Sequence, residues 1–71
     1  MLEGKTVREG FVVEAFKGGL FRVQLSDTSE EVSAHLSGKM RLHYIKVLVG
    51  DRVRIEFSQY DKAKGRIIQR L

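Results

Sequence analysis

From Arg52 to Ser58 apolar and charged side chains alternate without interruption, Val53, Ile55 and Phe57 on one side and Arg52, Arg54 and Glu56 on the other. A period of two is the geometry of an extended strand with one buried face, because successive Cβ atoms point to opposite sides of the pleat. The alternation recurs in Leu20–Leu25, where Phe21, Val23 and Leu25 oppose Leu20, Arg22 and Gln24, and in Val32–Leu36, where Ser33 and His35 form the polar side. Lys5–Phe16 is rich in β-branched and aromatic residues with apolar groups on both faces, as in a long coiled strand that serves two parts of a barrel. Gly65–Arg70 completes the set, with Ile67 and Ile68 giving each face one apolar residue. No connection is long enough for the crossover helix that a parallel βαβ unit needs. Five antiparallel strands in 71 residues expose edges unless the sheet closes, and a small Greek-key barrel closes it.

The connections carry their own signals. Lys17-Gly18-Gly19 is a turn, since glycine reaches positive φ without a Cβ clash. Ser26–Glu31 is a polar loop holding three acidic residues, Gly50-Asp51 turns the chain after the apolar Val47-Leu48-Val49, and Gln59–Lys64 is a polar loop containing Tyr60. The segment from Ala34 to Asp51 breaks the strand-like pattern. Ser37 can cap a helix by accepting from an unpaired amide of its first turn, and no strong breaker interrupts Lys39–Lys46, so a helix of about two turns is expected there. At about 100° per residue, Lys39, His43 and Lys46 share one face, while Tyr44 and Ile45 point the other way. Tyr44 therefore either packs under the helix or stacks on a ligand.

Leu, Ile, Val and Phe make up 23 of the 71 residues, above the share of roughly 20 % below which highly charged chains stay disordered. The chain is expected to fold alone as a single domain over residues 1–71, since one this short has no room for a second core. It has no cysteine, which excludes a disulfide framework and favours a reducing compartment. Neither an apolar leader nor a membrane-spanning run is found, so a soluble, unprocessed protein is expected. Charge is uneven: residues 1–38 carry four basic and six acidic side chains, whereas residues 39–71 carry nine and three. A basic second half and a pI of about 9.8 point to a polyanionic partner, because each neutralised phosphate releases condensed counterions. An anionic membrane would also satisfy the charge, but no long amphipathic helix is present to lie on one.

Three strands, a short helix and two more strands are the layout of the oligonucleotide-binding (OB) fold, whose partners lie over strands two and three and the loops joining strands one to two and four to five. Here those elements offer Arg22, Gln24, Ser33 and His35 from the strands, Lys17 from the first loop, and Tyr60, Lys62 and Lys64 from the second. Lys39, Arg41 and Lys46 are candidate phosphate contacts, and Tyr60, in a loop, is a candidate for stacking on a base.

Several motifs then converge: Leu20-Phe21-Arg22-Val23, Ala34-His35-Leu36-Ser37-Gly38-Lys39-Met40-Arg41, Tyr44-Ile45-Lys46, Gly50-Asp51-Arg52-Val53, and Tyr60-Asp61 followed by Lys64-Gly65-Arg66-Ile67. In these the chain resembles bacterial and organellar translation initiation factor one, a small S1-like OB-fold factor, from about Glu9 to Arg70. The resemblance implies a monomer that occupies the decoding (A) site of the small ribosomal subunit. It would contact rRNA and a neighbouring ribosomal protein and assist the other initiation factors and the selection of initiator tRNA. It further implies that Lys39, Met40, Arg41, Tyr44 and Lys46 lie on or beside the rRNA-facing side with Lys64 and Arg66, and that His35 takes the place of an RNA-facing histidine of S1-type domains. His43, Arg22, Tyr60 and Lys62 complete the candidate RNA-binding set. The implied location is the bacterial cytoplasm or the plastid stroma. The chain differs from the family's usual form in a longer Leu25–Val32 hairpin and in Leu42, where members often carry lysine.

Other functions are weighed on the same residues. A cold-shock-type single-strand binder would present several aromatics on strands two and three, where this chain has only Phe21. A protein-interaction barrel would bind with little dependence on salt. His35 and His43 lack a third convergent ligand, so neither metal nor other cofactor is expected. Ser33 and Ser37 have no base at a recognised spacing, and Gly18-Gly19 lacks the Lys-Ser/Thr of a phosphate-cradling loop, so no enzyme is indicated.

Overall fold

The computed structural model describes residues 5–58 and 61–71. The unbroken alternation of Arg52–Ser58 forms β4, with Val53 and Ile55 fully buried and Phe57 nearly so. Preceding it in the chain are β1 (Thr6–Phe16), β2 (Leu20–Leu25), β3 (Glu31–Leu36) and the five-residue helix α1 (Gly38–Leu42), and β5 (Asp61–Arg70) follows. The strands close into a barrel in the order β1-β2-β3-β5-β4. The barrel leaves no long edge unpaired, which is the OB architecture expected from the strand count.

β1 pairs with both β2 and β4. It achieves this by a register shift between Val12 and Glu14, a bulge that lets one strand bend between two neighbours. Alternate side chains of every strand meet inside: Val12, Phe21, Val23, Leu25, Ala34, Val53, Ile55, Phe57 and Ile67 form one cluster with Met40 and Val47. Gly65 lies inside as well, and a Cβ there would stand 2.3 Å from Ile55 Cγ2 and 2.9 Å from Phe57 Cε1. The bare backbone of β5 lets those two side chains fill the barrel.

Two features depart from the sequence-based expectation. The barrel is not wholly antiparallel: β3 and β5 run parallel, with Ser33 opposite Lys64 and Leu36 opposite Ile67. α1 and β4 lie between them in the chain and supply the return path that a parallel pair requires. The last strand also begins at Asp61 rather than Gly65, because residues expected to be loop pair with β4 and β3.

Ser37 links β3 to α1. Its amide donates to the Ile67 carbonyl (2.9 Å) and its buried hydroxyl accepts from the Met40 amide (3.2 Å). The hydroxyl thus satisfies one of the orphan donors of the first turn. Ser37→Ala is expected to cost about 1 kcal/mol in a urea melt without changing the m-value. A cost below a few tenths would show that the cap is dispensable.

Candidate nucleic-acid interface

α1 is shorter than its composition suggests. His43 is the C-cap and Tyr44 adopts φ +54°. The Tyr44 amide donates to Arg41 (3.2 Å) and the Ile45 amide to Met40 (3.0 Å), the paired bonds of a Schellman ending. The expected two-turn face of Lys39, His43 and Lys46 is therefore not helical beyond Leu42, although all three side chains are exposed. One individual expectation changes with it, and one open alternative is narrowed. Met40, placed with the RNA-facing motif, is 2 % exposed and plugs the barrel. Its side chain serves the core, so its part in the motif is to anchor α1. Tyr44 does the opposite of packing under the helix: it is 92 % exposed.

The remaining candidates fall into two groups. Lys39, Arg41, His43, Tyr44 and Lys46 stand on α1 and the segment after it. His35 and Lys64 stand on the barrel wall, where two shallow grooves of about 310 and 330 Å³ share them. Arg66 lines the larger groove, and Arg22 lies opposite Ser33 of the smaller one. Tyr60 and the side chain of Lys62 lie outside the described residues. A continuous path joins the two groups. Arg41 lies against the β1–β2 turn, where a Cβ on Gly19 would be 3.3 Å from its Nη2. The next residue, Leu20, pairs with His35, and His35 pairs with Arg66.

Electrostatics separate these cations further. Arg22 donates to Glu14 (2.8 Å), approaches Glu31 (3.8 Å) and lies over the Phe16 ring (5.5 Å to its centroid). Arg66 pairs with Glu56, whose carboxylate Lys5 also approaches (3.8 Å). Arg54 pairs with Glu9 (3.2 Å) and Arg8 with Asp27 (2.7 Å). The hydrogen bond from Arg8 holds the Asp27 carboxyl below its usual range. Arg22 and Arg66, expected to meet RNA phosphates, are thus substantially compensated by the chain's own carboxylates. Among the described residues Lys39, Arg41 and Lys46 have no such ion pair, as is also true of Lys17, Arg52 and Arg70, so α1 and the segment after it carry uncompensated charge.

Sequence reasoning passed over Phe16 and Leu20, which pair across the first hairpin and are 40 % and 42 % exposed. Leu20 lines the smaller groove with His35. Its place beside Arg22 on the polar side of an alternating strand was the available signal.

With this geometry in view, the comparisons with known proteins are consistent among themselves. The family described as "Translation initiation factor 1A / IF-1" matches residues 3–71. The chain is 46 % identical to the chloroplastic translation initiation factor IF-1 of Dioscorea elephantipes over all of its own length and 91 % of that protein. It is 45 % identical to the chloroplastic IF-1 of Glycine max, of which it spans 49 %. Among solved structures, the corresponding initiation factor of the Wolbachia endosymbiont of Brugia malayi superimposes with a TM-score of 0.80 and 42 % identity, covering 97 % of this chain and 80 % of that one. A closed five-stranded barrel, a capped helix after its third strand and full-length similarity lead to one assignment: the chain belongs to the translation initiation factor 1A / IF-1 family.

Proposed function

We propose that the chain acts as an initiation factor by binding the decoding (A) site of the small ribosomal subunit through rRNA phosphates. The observation that carries this reading is the uncompensated, exposed charge of Lys39, Arg41 and Lys46 on and just after a helix pinned to the barrel by Met40 and Ser37. Arg41 offers a planar fork to phosphate oxygens, the lysines offer point charges, and Tyr44 offers an exposed ring to a base. In this role the chain works by occupancy rather than catalysis, as a monomer beside a neighbouring ribosomal protein. It assists the other initiation factors and initiator tRNA selection. The chloroplastic relatives support a setting in the plastid stroma.

Equilibrium binding to purified small subunits at a series of salt concentrations tests this. Log K is expected to fall linearly with log salt, and Lys39→Ala and Arg41→Ala each to make the slope shallower by roughly 0.7 to 0.9, the share of one phosphate. Both substitutions are exposed and should leave stability within about 0.5 kcal/mol. Footprinting of the rRNA should show protection at the decoding site. Binding indifferent to salt would replace this reading with that of a protein-interaction barrel.

A further inference from the structure

We propose that the outer face of the β1–β4 pair, with the turn at residues 48–51 beside it, is a protein-docking surface. Its partner presents apolar side chains together with a carboxylate that meets Arg52. The proposal rests on the reading above only in placing that partner in the initiation complex. In the strand order β1-β2-β3-β5-β4, one strand separates β3 from β1 on one side and from β4 on the other, so this face lies across the barrel from His35.

Three observations lead there. First, the exposed apolar residues of this region are contiguous. Phe11 and Arg52 are cross-strand partners, and the Arg52 guanidinium lies over the Phe11 ring, 5.2 Å from its centroid. The Val12 amide donates to the Asp51 carbonyl (2.9 Å) and the Gly50 amide to the Val12 carbonyl (2.7 Å). The turn therefore runs along β1, and Val13 and Val49 flank the second of these bonds. Phe11, Val13, Leu48 and Val49 are 39, 37, 56 and 59 % exposed, and apolar residues gathered in this way mark interaction sites where single ones do not. Second, the tip is rigid. The Asp51 amide donates to the Leu48 carbonyl (3.0 Å), the Leu48 amide donates to the Asp51 carboxylate (2.8 Å), and Gly50 supplies φ +97° at the third position of the turn. A partner that covers Leu48 and Val49 has little left to order.

Third, the chemistry suits protein and not phosphate. The amides of Leu48, Gly50 and Asp51 are all bonded within the chain, so the turn holds no nest of free donors for an anion. Valine and leucine neither stack on bases as aromatic rings do nor donate to phosphate oxygens. Arg52 is exposed and has no carboxylate partner among the described residues. Set among apolar groups and already oriented by Phe11, it is the kind of cation that protein interfaces favour, and an acid of the partner completes it.

Photo-cross-linking decides the matter, with p-benzoylphenylalanine in place of Val49 or, for comparison, Lys39, in complexes of purified small subunits with the other initiation factors. The Val49 position is expected to cross-link to a protein segment that carries apolar and acidic residues, and the Lys39 position to rRNA. Leu48→Ser/Val49→Ser should weaken binding in that complex by roughly tenfold or more. Its salt slope should stay that of the parent, since no phosphate contact is lost, and its melting temperature should not change, since both residues are exposed. A cross-link from Val49 to rRNA, to a second copy of this chain or to nothing would overturn the proposal and, with the Lys39 cross-link intact, leave the rRNA reading standing. A protein cross-link from Val49 with none to rRNA from Lys39 would uphold this surface and remove that reading.

Discussion

Gly65→Ala is expected to lower stability by about 3 kcal/mol or more, close to the whole margin of a marginal domain of this size. Alanine is ordinarily better than glycine within a strand, since it restricts the unfolded chain. Here the added methyl would have to occupy space already held by Ile55 and Phe57, at 2.3 and 2.9 Å. Ile55 is fully buried and Phe57 4 % exposed, so neither can swing into solvent. Neither can β5 retreat, because it is bonded to β4 on one side and β3 on the other. At about 4–8 °C per kcal/mol, the melting temperature should fall by at least about 12 °C. A double-mutant comparison isolates the cause. Ile55→Ala alone should cost about 2–5 kcal/mol, and distinctly less in the Gly65→Ala background, where it removes the methyl that clashes. A Gly65→Ala protein within about 1 kcal/mol of the parent would mean that β5 does not pack on β4 this closely. The consequence reaches the interface, because Gly65 sits between Lys64 and Arg66, and the strand that carries them keeps its depth only while that position is bare.

What could be read from the residues follows from how local each signal is. β2 and β4 were legible to the residue because each buries one face and exposes the other, so the period of two survives intact in Leu20–Leu25 and Arg52–Ser58. The Ser37 cap was legible for the same reason: the side chain and the amide it accepts from are three positions apart. The parallel pairing of β3 with β5 was not, since it depends on contacts across some thirty positions that no local period encodes. The early start of β5 was hidden likewise: Asp61–Lys64 has no apolar rhythm and is extended because two neighbours offer it ladders. In the candidate site, the identity of the cations was readable and their state was not. Arg22, Arg66 and Lys39 look alike in a sequence, and only the fold brings Glu14 and Glu56 to the first two. Met40 was misplaced because it stands between Lys39 and Arg41, and helical geometry turns it inward while its neighbours face out.

Tyr44→Gly is expected to weaken small-subunit binding by roughly 5- to 150-fold without weakening the fold, the reverse of the Gly65 result. A bulky residue in the left-handed region costs about 1–2 kcal/mol, and helices that end in this way usually place glycine there. Tyr44 nevertheless holds φ +54°, fixed by the bonds from its own amide to Arg41 and from Ile45 to Met40. With 92 % of the residue exposed, the ring returns almost no burial energy to offset that cost. Glycine would relieve the strain but loosen the unfolded chain by about 0.5–1 kcal/mol, leaving a net gain of up to about 1.5 kcal/mol in thermal or urea melts. Strain retained where glycine would serve is the pattern of residues kept for function, and a stacked base is worth about 1–3 kcal/mol, which sets the binding loss. Tyr44→Phe, which keeps the face of the ring, should bind nearly as the parent does. Tyr44→Ala, which keeps most of the backbone strain and loses the ring, should bind as poorly as Tyr44→Gly. If Tyr44→Gly instead destabilised the barrel by more than about 1 kcal/mol, the ring would have to be packing against the protein. If all three variants bound normally, the ring would touch no base, and the strained ending of α1 would serve only to turn the chain from Met40 toward Val47, the two core residues on either side of it.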